Sequence, residues 1–412
     1  MTDAYIAGIG ITKFGRFPDE SVKSLTSKAV CAAMRDCAIN PERIKAAFFA
    51  NTVQGALEGQ LMVRGQIALR PLGLEGIPIF NVENACASSA TALNLALNYI
   101  RAGSADVVLA VGVDKMVVPD KKLMFSIFDG AWDVHDAAVG MQRLLSLGEG
   151  LSAPSGIQEQ TNRSFFMDVY AAFAKAHMAE FGTTQRQLAI ASAKNHTHSS
   201  LNPLAQYQKP MSVEEVLNSP TIVWPYTLPM CAPVSDGAAA AVICAESVLK
   251  ELPGVRPVKI LSSHVATGIE RPPTEFHNHI GHLAAKEAYE KASVGPDEIS
   301  FAEVHDATAF AEIQQIENLM FAPFGDGGAF VESGSSSLGG RLPINTSGGL
   351  QSKGHPIGAT GLGQIHELTV QLRGEAGKRQ VDGAKIGIAE NGGGLYGIEE
   401  AAVAVTILGA DK

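Results

Sequence analysis

Ile79-Phe80-Asn81-Val82-Glu83-Asn84-Ala85-Cys86-Ala87-Ser88-Ser89-Ala90 is the stretch on which the reading of this chain turns. Residues 79–82 have strand character, and the small residues after Cys86 open an apolar helix reaching to about residue 100. One thiol therefore sits at a strand-to-helix turn, over the positive end of a helix whose first N–H groups lack partners. That position is expected to favour the thiolate and to make Cys86 nucleophilic near neutral pH. A buried, inert cysteine is the alternative.

A turn of the same build recurs late in the chain. Asn345-Thr346-Ser347-Gly348-Gly349 leads through Gly354-His355-Pro356 and Gly358-Ala359-Thr360-Gly361 into a helix-like stretch, 362–372. Each half thus offers a reactive side chain where a strand meets a helix of small residues. A histidine within hydrogen-bond reach of a thiol can manage its proton, which makes His355 the natural partner of Cys86.

Strand and helix patterns alternate outward from these turns. Strands are predicted at 4–11, 44–51, 106–113, 258–263, 300–305, 384–389 and 400–408, with helices at 21–37, 282–292 and 309–320. Such alternation implies βαβ units and an α/β fold whose sheets are covered on both faces. The order repeats, so the chain reads as two duplicated halves. Residues 1–117 with 224–250 form the N-terminal, nucleophile-bearing half, and residues 251–412 the C-terminal half. Between them, 118–223 breaks the pattern with Trp132, Phe165, Phe166, Tyr170 and Phe173 and helix-like segments near 164–180 and 185–198. This insert is read as a substrate-covering loop domain whose aromatic residues are mostly local core.

The chain has 412 residues, 46% of them hydrophobic and 18% charged, enough for several packed cores. A net charge of −10 argues against nucleic acid, although a local basic patch could still bind an anion. The five cysteines form no C-x-x-C pair, which suits a reducing compartment. The opening residues read directly as a strand, and the last three are not a Ser-Lys-Leu address. The apolar runs are too short to span a bilayer. The expectation is a cytoplasmic protein without a membrane partner.

Four stretches together resemble the thiolase superfamily: Cys86-Ala87-Ser88, His305-Asp306-Ala307-Thr308-Ala309-Phe310, Gly354-His355-Pro356 and the glycine loop Asn391-Gly392-Gly393-Gly394. Lys194-Asn195-His196, Asn202-Pro203 and Ser235-Asp236-Gly237-Ala238-Ala239 look like the family as well. The histidine of the second motif resembles the sterol-carrier-protein branch and its bacterial and archaeal relatives. The resemblance implies a five-layered α-β-α-β-α arrangement in which two helix N-termini meet at a central site. It implies a coenzyme A-dependent acyltransferase that cleaves or forms a 3-oxoacyl-CoA through S-acyl Cys86, with the CoA thioester as substrate and no bound cofactor. By the same resemblance one oxyanion hole uses backbone N–H groups of Cys86 and the 392–394 loop, represented by Gly392. The other uses the side chains of His305 and His355. A homodimer is implied, and a small OB-fold zinc-ribbon partner also belongs to the expectation.

The chain departs from the family in lacking a second catalytic cysteine. The loop reads Ala389-Glu390-Asn391-Gly392, and Ala307 follows Asp306. Glu390 and His305 are the candidates to move the α-carbon proton, and Glu390 as a purely structural carboxylate is the alternative. Cys231 has no readable place. A thiolase-like retro-aldolase, needing an enolate but no thiolate, and a coupling subunit are the rival readings. His277-Asn278-His279-Ile280-Gly281-His282 has zinc-like spacing but no supporting ligands and reads as a loop entering a helix; no metal is expected.

Overall fold

The computed structural model describes residues 2–252 and 254–410. Met1, Pro253, Asp411 and Lys412, and with them most of the chain end read above for an organelle address, lie outside the described residues. The described residues form eleven strands: β1 (Ala4–Ile11), β2 (Ala46–Ala50), β3 (Ile79–Val82), β4 (Val107–Asp114), β5 (Thr221–Val223), β6 (Tyr226–Thr227), β7 (Gly237–Ala245), β8 (Val258–Ala266), β9 (Phe301–Glu303), β10 (Ile386–Gly393) and β11 (Ala402–Ala410).

The duplication is visible in the pairing. The N-terminal half orders its strands β3-β2-β4-β7-β1, with β2 parallel to β3 and β4, and β7 antiparallel to β4 and β1. The C-terminal half repeats this as β9-β10-β11-β8, parallel between β9 and β10 and antiparallel thereafter. Ile344 bridges Ala302 in parallel where a fifth strand would stand. Antiparallel pairing of Tyr5 with Lys259 and Ile6 with Val258 joins the halves into one nine-stranded sheet.

All eight residues of β4 and all nine of β7 are buried, as strands covered on both faces require. The outer face of the N-terminal half is closed by helix Val22–Asp36, started by a Ser21–Ser24 capping box. That helix buries Val22, Leu25, Ala29 and Ala33 at helical spacing. Helix Ile280–Ala292 covers the C-terminal half in the same way. Between the halves lie helices Ser88–Arg101 and Thr360–Leu372, which share one core through Leu93, Leu97, Leu362, Ile365 and Leu368. Each of these side chains contributes about 2 kcal/mol on burial. The layers thus run helix, sheet, helix, sheet, helix.

The two central helices touch at their N-termini. A Cβ on Gly361 would lie 2.6 Å from the Ala90 nitrogen, so only glycine allows this approach. Leu362 N–H donates to Ser89 Oγ at 3.0 Å, and Gly358 N–H donates to Asp114 Oδ2 at 2.6 Å. Both nucleophile turn and histidine turn are fixed by these cross-half bonds.

The segment between β4 and β7 carries helices Lys121–Ser126, Ala137–Ser146, Phe165–Phe181, Gln185–Ser200 and Val213–Leu217. Helix Gln185–Ser200 does not form a core of its own. Leu188, Ala189 and Ala191 join the core of the C-terminal half. Helix Phe165–Phe181 joins the same core through Ala171 and Ala174, and it packs through Phe166 and Val169 with Leu144 and Leu395. Among the described residues no helix is long and apolar enough to cross a membrane.

Two sequence expectations shift. The residues read as a glycine loop are mostly strand: Asn391, Gly392 and Gly393 pair with Ala404, Val403 and Ala402 of β11. His355 does not follow a strand. It lies between a π-helical turn, Gly349–Lys353, and a 3-10 turn, Ile357–Ala359, held by a single bridge to Val234.

Candidate active site

Cys86 stands two residues before helix Ser88–Arg101, after Ala85, whose φ of 45° is unusual for a residue with a Cβ. The turn is locked locally. Asn84 N–H donates to Ser88 Oγ at 2.8 Å, and the Ser88 hydroxyl donates to Ala85 O at 2.6 Å. From the other half, Gly393 lies so close that a Cβ there would be 3.0 Å from Cys86 N.

Cys86 Sγ and one ring nitrogen each of His305 and His355 lie within 4.8 Å of one another. The rings meet edge to face, with centroids 5.3 Å apart. Among the described residues this is the one Cys, His, Asp and Glu group compact enough to share an ion. The zinc-like histidine run does not converge. His279 Nδ1 accepts from Gly281 N–H at 3.0 Å, and the His277 and His282 rings pack on Phe324.

Hydrogen bonds give the two rings opposite roles. Thr360 donates its hydroxyl hydrogen to Pro356 O at 2.9 Å, so its oxygen accepts from His355 Nδ1–H at 2.7 Å. His355 Nε2 therefore carries a lone pair and can take a proton. Asn391 Nδ2 donates to His305 Nδ1 at 3.0 Å, which leaves the His305 proton on Nε2 as a donor. Burial lowers the His305 pKa to about 4. Burial, then His305 and Lys353, hold His355 well below the ordinary histidine value. Both rings are neutral at pH 7.

The resting sulfur departs from expectation. Burial, with the charges of Asp114 and Glu83 adding to it, pushes the Cys86 thiol up to about 12. The backbone N–H groups of Cys86 and Gly394 pull the other way and are outweighed. At rest Cys86 is therefore held toward the thiol form. Alkylation by iodoacetamide is predicted to rise about tenfold per pH unit from pH 7 to 9. A plateau below pH 8 would instead reveal a preformed thiolate.

Two residues singled out from the sequence, Gly392 and Glu390, do not line the cavity. Gly392 is paired inside the ladder, and its missing Cβ makes room for Glu400. Gly394, just past the strand, lines the cavity, and its N–H faces the Cys86 sulfur. Glu390 is fully buried, and its Oε2 accepts from His305 N–H at 3.0 Å. Burial, then Glu400 and Asp306, push the Glu390 carboxyl well above the carboxylate range. It braces the His305 backbone from behind the cavity wall.

The remaining motif residues build the frame. Asp306 accepts from Leu350 N–H at 2.6 Å and from the side chains of Gln351 and Asn195, each at 2.9 Å. Lys194 pairs with Glu312 at 2.9 Å. Asp236 accepts from Met116 and Val117 N–H and pairs with Lys115 at 3.0 Å.

Cys86 and His355 open onto a cavity of about 660 Å³. Met116, Ile127, Phe128, Phe166, Met167 and Tyr170 give it a mostly apolar wall. His196, expected only to be structural, lines it too, and so does Cys231. Position along helix Phe165–Phe181 decides which aromatics face inward, and no motif marks them.

Two family descriptions match, the thiolase N-terminal domain over residues 4–223 and the thiolase C-terminal domain-like description over residues 273–409. The chain belongs to the thiolase family and is an enzyme of that family, an acyltransferase by class. It is 35% identical over 404 residues to an acetyl-CoA acetyltransferase of Methanothermobacter thermautotrophicus, covering 96% of this chain and 98% of that one. It is 36% identical over 399 residues to sterol carrier protein 2 of Bos taurus, covering 94% and 69%. A solved Ltp2-ChsH2(DUF35) aldolase superposes with a TM-score of 0.79 at 24% identity, covering 100% and 98%, a likeness of fold.

Proposed function

We propose that this chain cleaves or forms a 3-oxoacyl-CoA through an S-acyl intermediate on Cys86. The observation that carries the reading is the opposite protonation of the two rings beside the sulfur. His355 Nε2 accepts the thiol proton as Cys86 Sγ attacks the 3-oxo carbon. The tetrahedral oxygen is received by the N–H groups of Cys86 and Gly394. Collapse breaks the bond between C2 and C3, leaving the acyl group on sulfur and an enolate on the departing thioester. His305 Nε2–H holds that enolate oxygen, braced by Asn391 and Glu390. Coenzyme A then attacks the acyl-enzyme, and His355 returns its proton to Cys86. Coenzyme A enters and leaves as substrate.

The apolar wall suits a bulky acyl chain over a charged one. The test is incubation with a panel of acyl-CoAs and 3-oxoacyl-CoAs, read by intact mass and peptide mapping. An acyl adduct confined to the Cys86 peptide is expected. Turnover of a CoA thioester with no adduct at any step would favour the retro-aldolase reading instead.

A cytoplasmic homodimer is part of the proposal. All five cysteines are free, as a reducing compartment requires. The β3 edge is open, with Phe80 42% and Leu95 40% exposed beside it. Light scattering should give twice the chain mass of 43.3 kDa. A small OB-fold zinc-ribbon partner remains part of the reading, supported by the fold-level likeness to an aldolase named with a DUF35 component.

A further inference from the structure

The cleavage step leaves an enolate that needs a proton at C2, and neither Ala307 nor the 391–394 segment offers a thiol. Four neighbouring groups are already engaged. Cys231 Sγ donates to Thr227 O at 3.7 Å. His196 is held through both nitrogens, by Pro229 O at 3.2 Å and Ser352 Oγ at 3.1 Å. Glu390 is turned to the His305 backbone, and His305 Nε2–H is engaged with the enolate oxygen.

Tyr170 is different. It lies on helix Phe165–Phe181 and lines the cavity with Cys86, His355 and Ala307. Its hydroxyl has no hydrogen-bond partner among the described residues. Its position is nonetheless fixed. Thr308, three residues after His305, donates to Tyr226 Oη at 3.1 Å, and Tyr226 donates to the Tyr170 carbonyl at 3.0 Å. The ring packs on Phe166 and Phe173, with centroids 6.1 and 6.4 Å away. An acid is therefore tied to the same motif that orients the enolate.

Resting on the acyltransferase reading above, we propose that the Tyr170 hydroxyl exchanges the proton at C2 of the thioester, in the place of the absent second cysteine. In cleavage, the C2 carbanion takes the phenol proton, a C–H bond forms, and phenolate remains opposite the imidazolium of His355. The acyl-CoA product leaves. Incoming coenzyme A gives its thiol proton to the phenolate, and its sulfur attacks the acyl group on Cys86. Released Cys86 thiolate takes the proton held by His355, and both side chains are restored. Burial, then neighbouring Cys86, Glu400, Tyr226 and Glu390, keep the resting phenol protonated, as a proton donor to carbon must be.

The test separates two half-reactions of one probe, acetyl-CoA, in Tyr170→Phe, which keeps the ring and removes only the hydroxyl. Acetyl transfer to Cys86, read by intact mass, needs no proton at C2 and uses the phenol only to protonate a thiolate leaving group, so it is expected to fall by about tenfold at most. Exchange of C2 hydrogen in heavy water, read by mass of recovered acetyl-CoA, is expected to fall by about 100-fold or more. Equal losses in both, or exchange within threefold of wild type, would overturn the proposal. So would a wild type that exchanges no C2 hydrogen, or a Cys231→Ala variant that alone abolishes exchange. A wild type in which Cys86 is also never acylated sinks the acyltransferase reading itself.

Discussion

Cys86→Ala is expected to remove the acyl adduct completely and to lower 3-oxoacyl-CoA thiolysis on the order of 10⁴-fold or more, the scale seen when a nucleophile is deleted. The fold should survive. The turn is made by Asn84, Ala85 and Ser88 through backbone and hydroxyl contacts, none of which uses the sulfur. Alanine also fits beside Val53, Met116 and Ile357, the apolar residues around the thiol. Circular dichroism matching wild type, with no adduct and no thiolysis, is the predicted result. Thiolysis retained within tenfold would mean that the reaction does not pass through this sulfur.

Gly393→Ala is expected to damage the same site from the opposite half. A Cβ at Gly393 would lie 2.3 Å from Asn84 O and 2.6 Å from Ala87 N, and both are backbone atoms that cannot swing away. β10 or the nucleophile turn must shift, at a cost of roughly 1–3 kcal/mol. The shift separates Gly394 N–H from the oxygen it is proposed to receive, so acylation should slow by about 100-fold, the scale of one lost oxyanion donor. Thermal melting and the pre-steady-state rate of adduct formation measure the two effects. A lower melting midpoint with an unchanged acylation rate would remove Gly394 from the proposed machinery.

What could be read from the residues was whatever a local pattern controls. The small-residue turn at Cys86, the string ending in His355 and the strand–helix alternation each lie within a few residues of one another. The residues they single out, Cys86, His305 and His355, lie together in the structure. The thiol's charge state escaped that reading because Asp114 and the burial of the sulfur come from β4 and the facing half. Nothing in the sequence separates Gly392 from Gly394, because it does not show where β11 stops pairing with β10. Glu390 looked available as a base because its contact with the His305 backbone spans 85 residues. Tyr170 and Phe166 looked like ordinary local core until the rotation of their helix put them against the cavity.

The order of strands also has a consequence for synthesis on the ribosome. β7 fills the gap between β4 and β1, yet it begins at Gly237, long after β4 ends at Asp114. At about 5–20 residues per second, roughly 6–25 s pass with the edges of β1 and β4 unpaired while the intervening segment emerges. A growing chain in this state offers bare strand edges to its neighbours, and early binding by a chaperone would shelter them. The proposed site is completed later still, since Gly393 and Gly394 follow β7 in the chain. Chains released before Gly394 would therefore carry Cys86 without the oxyanion donor proposed for it, and on that proposal a truncated product made in quantity would still be unable to hold an acyl group.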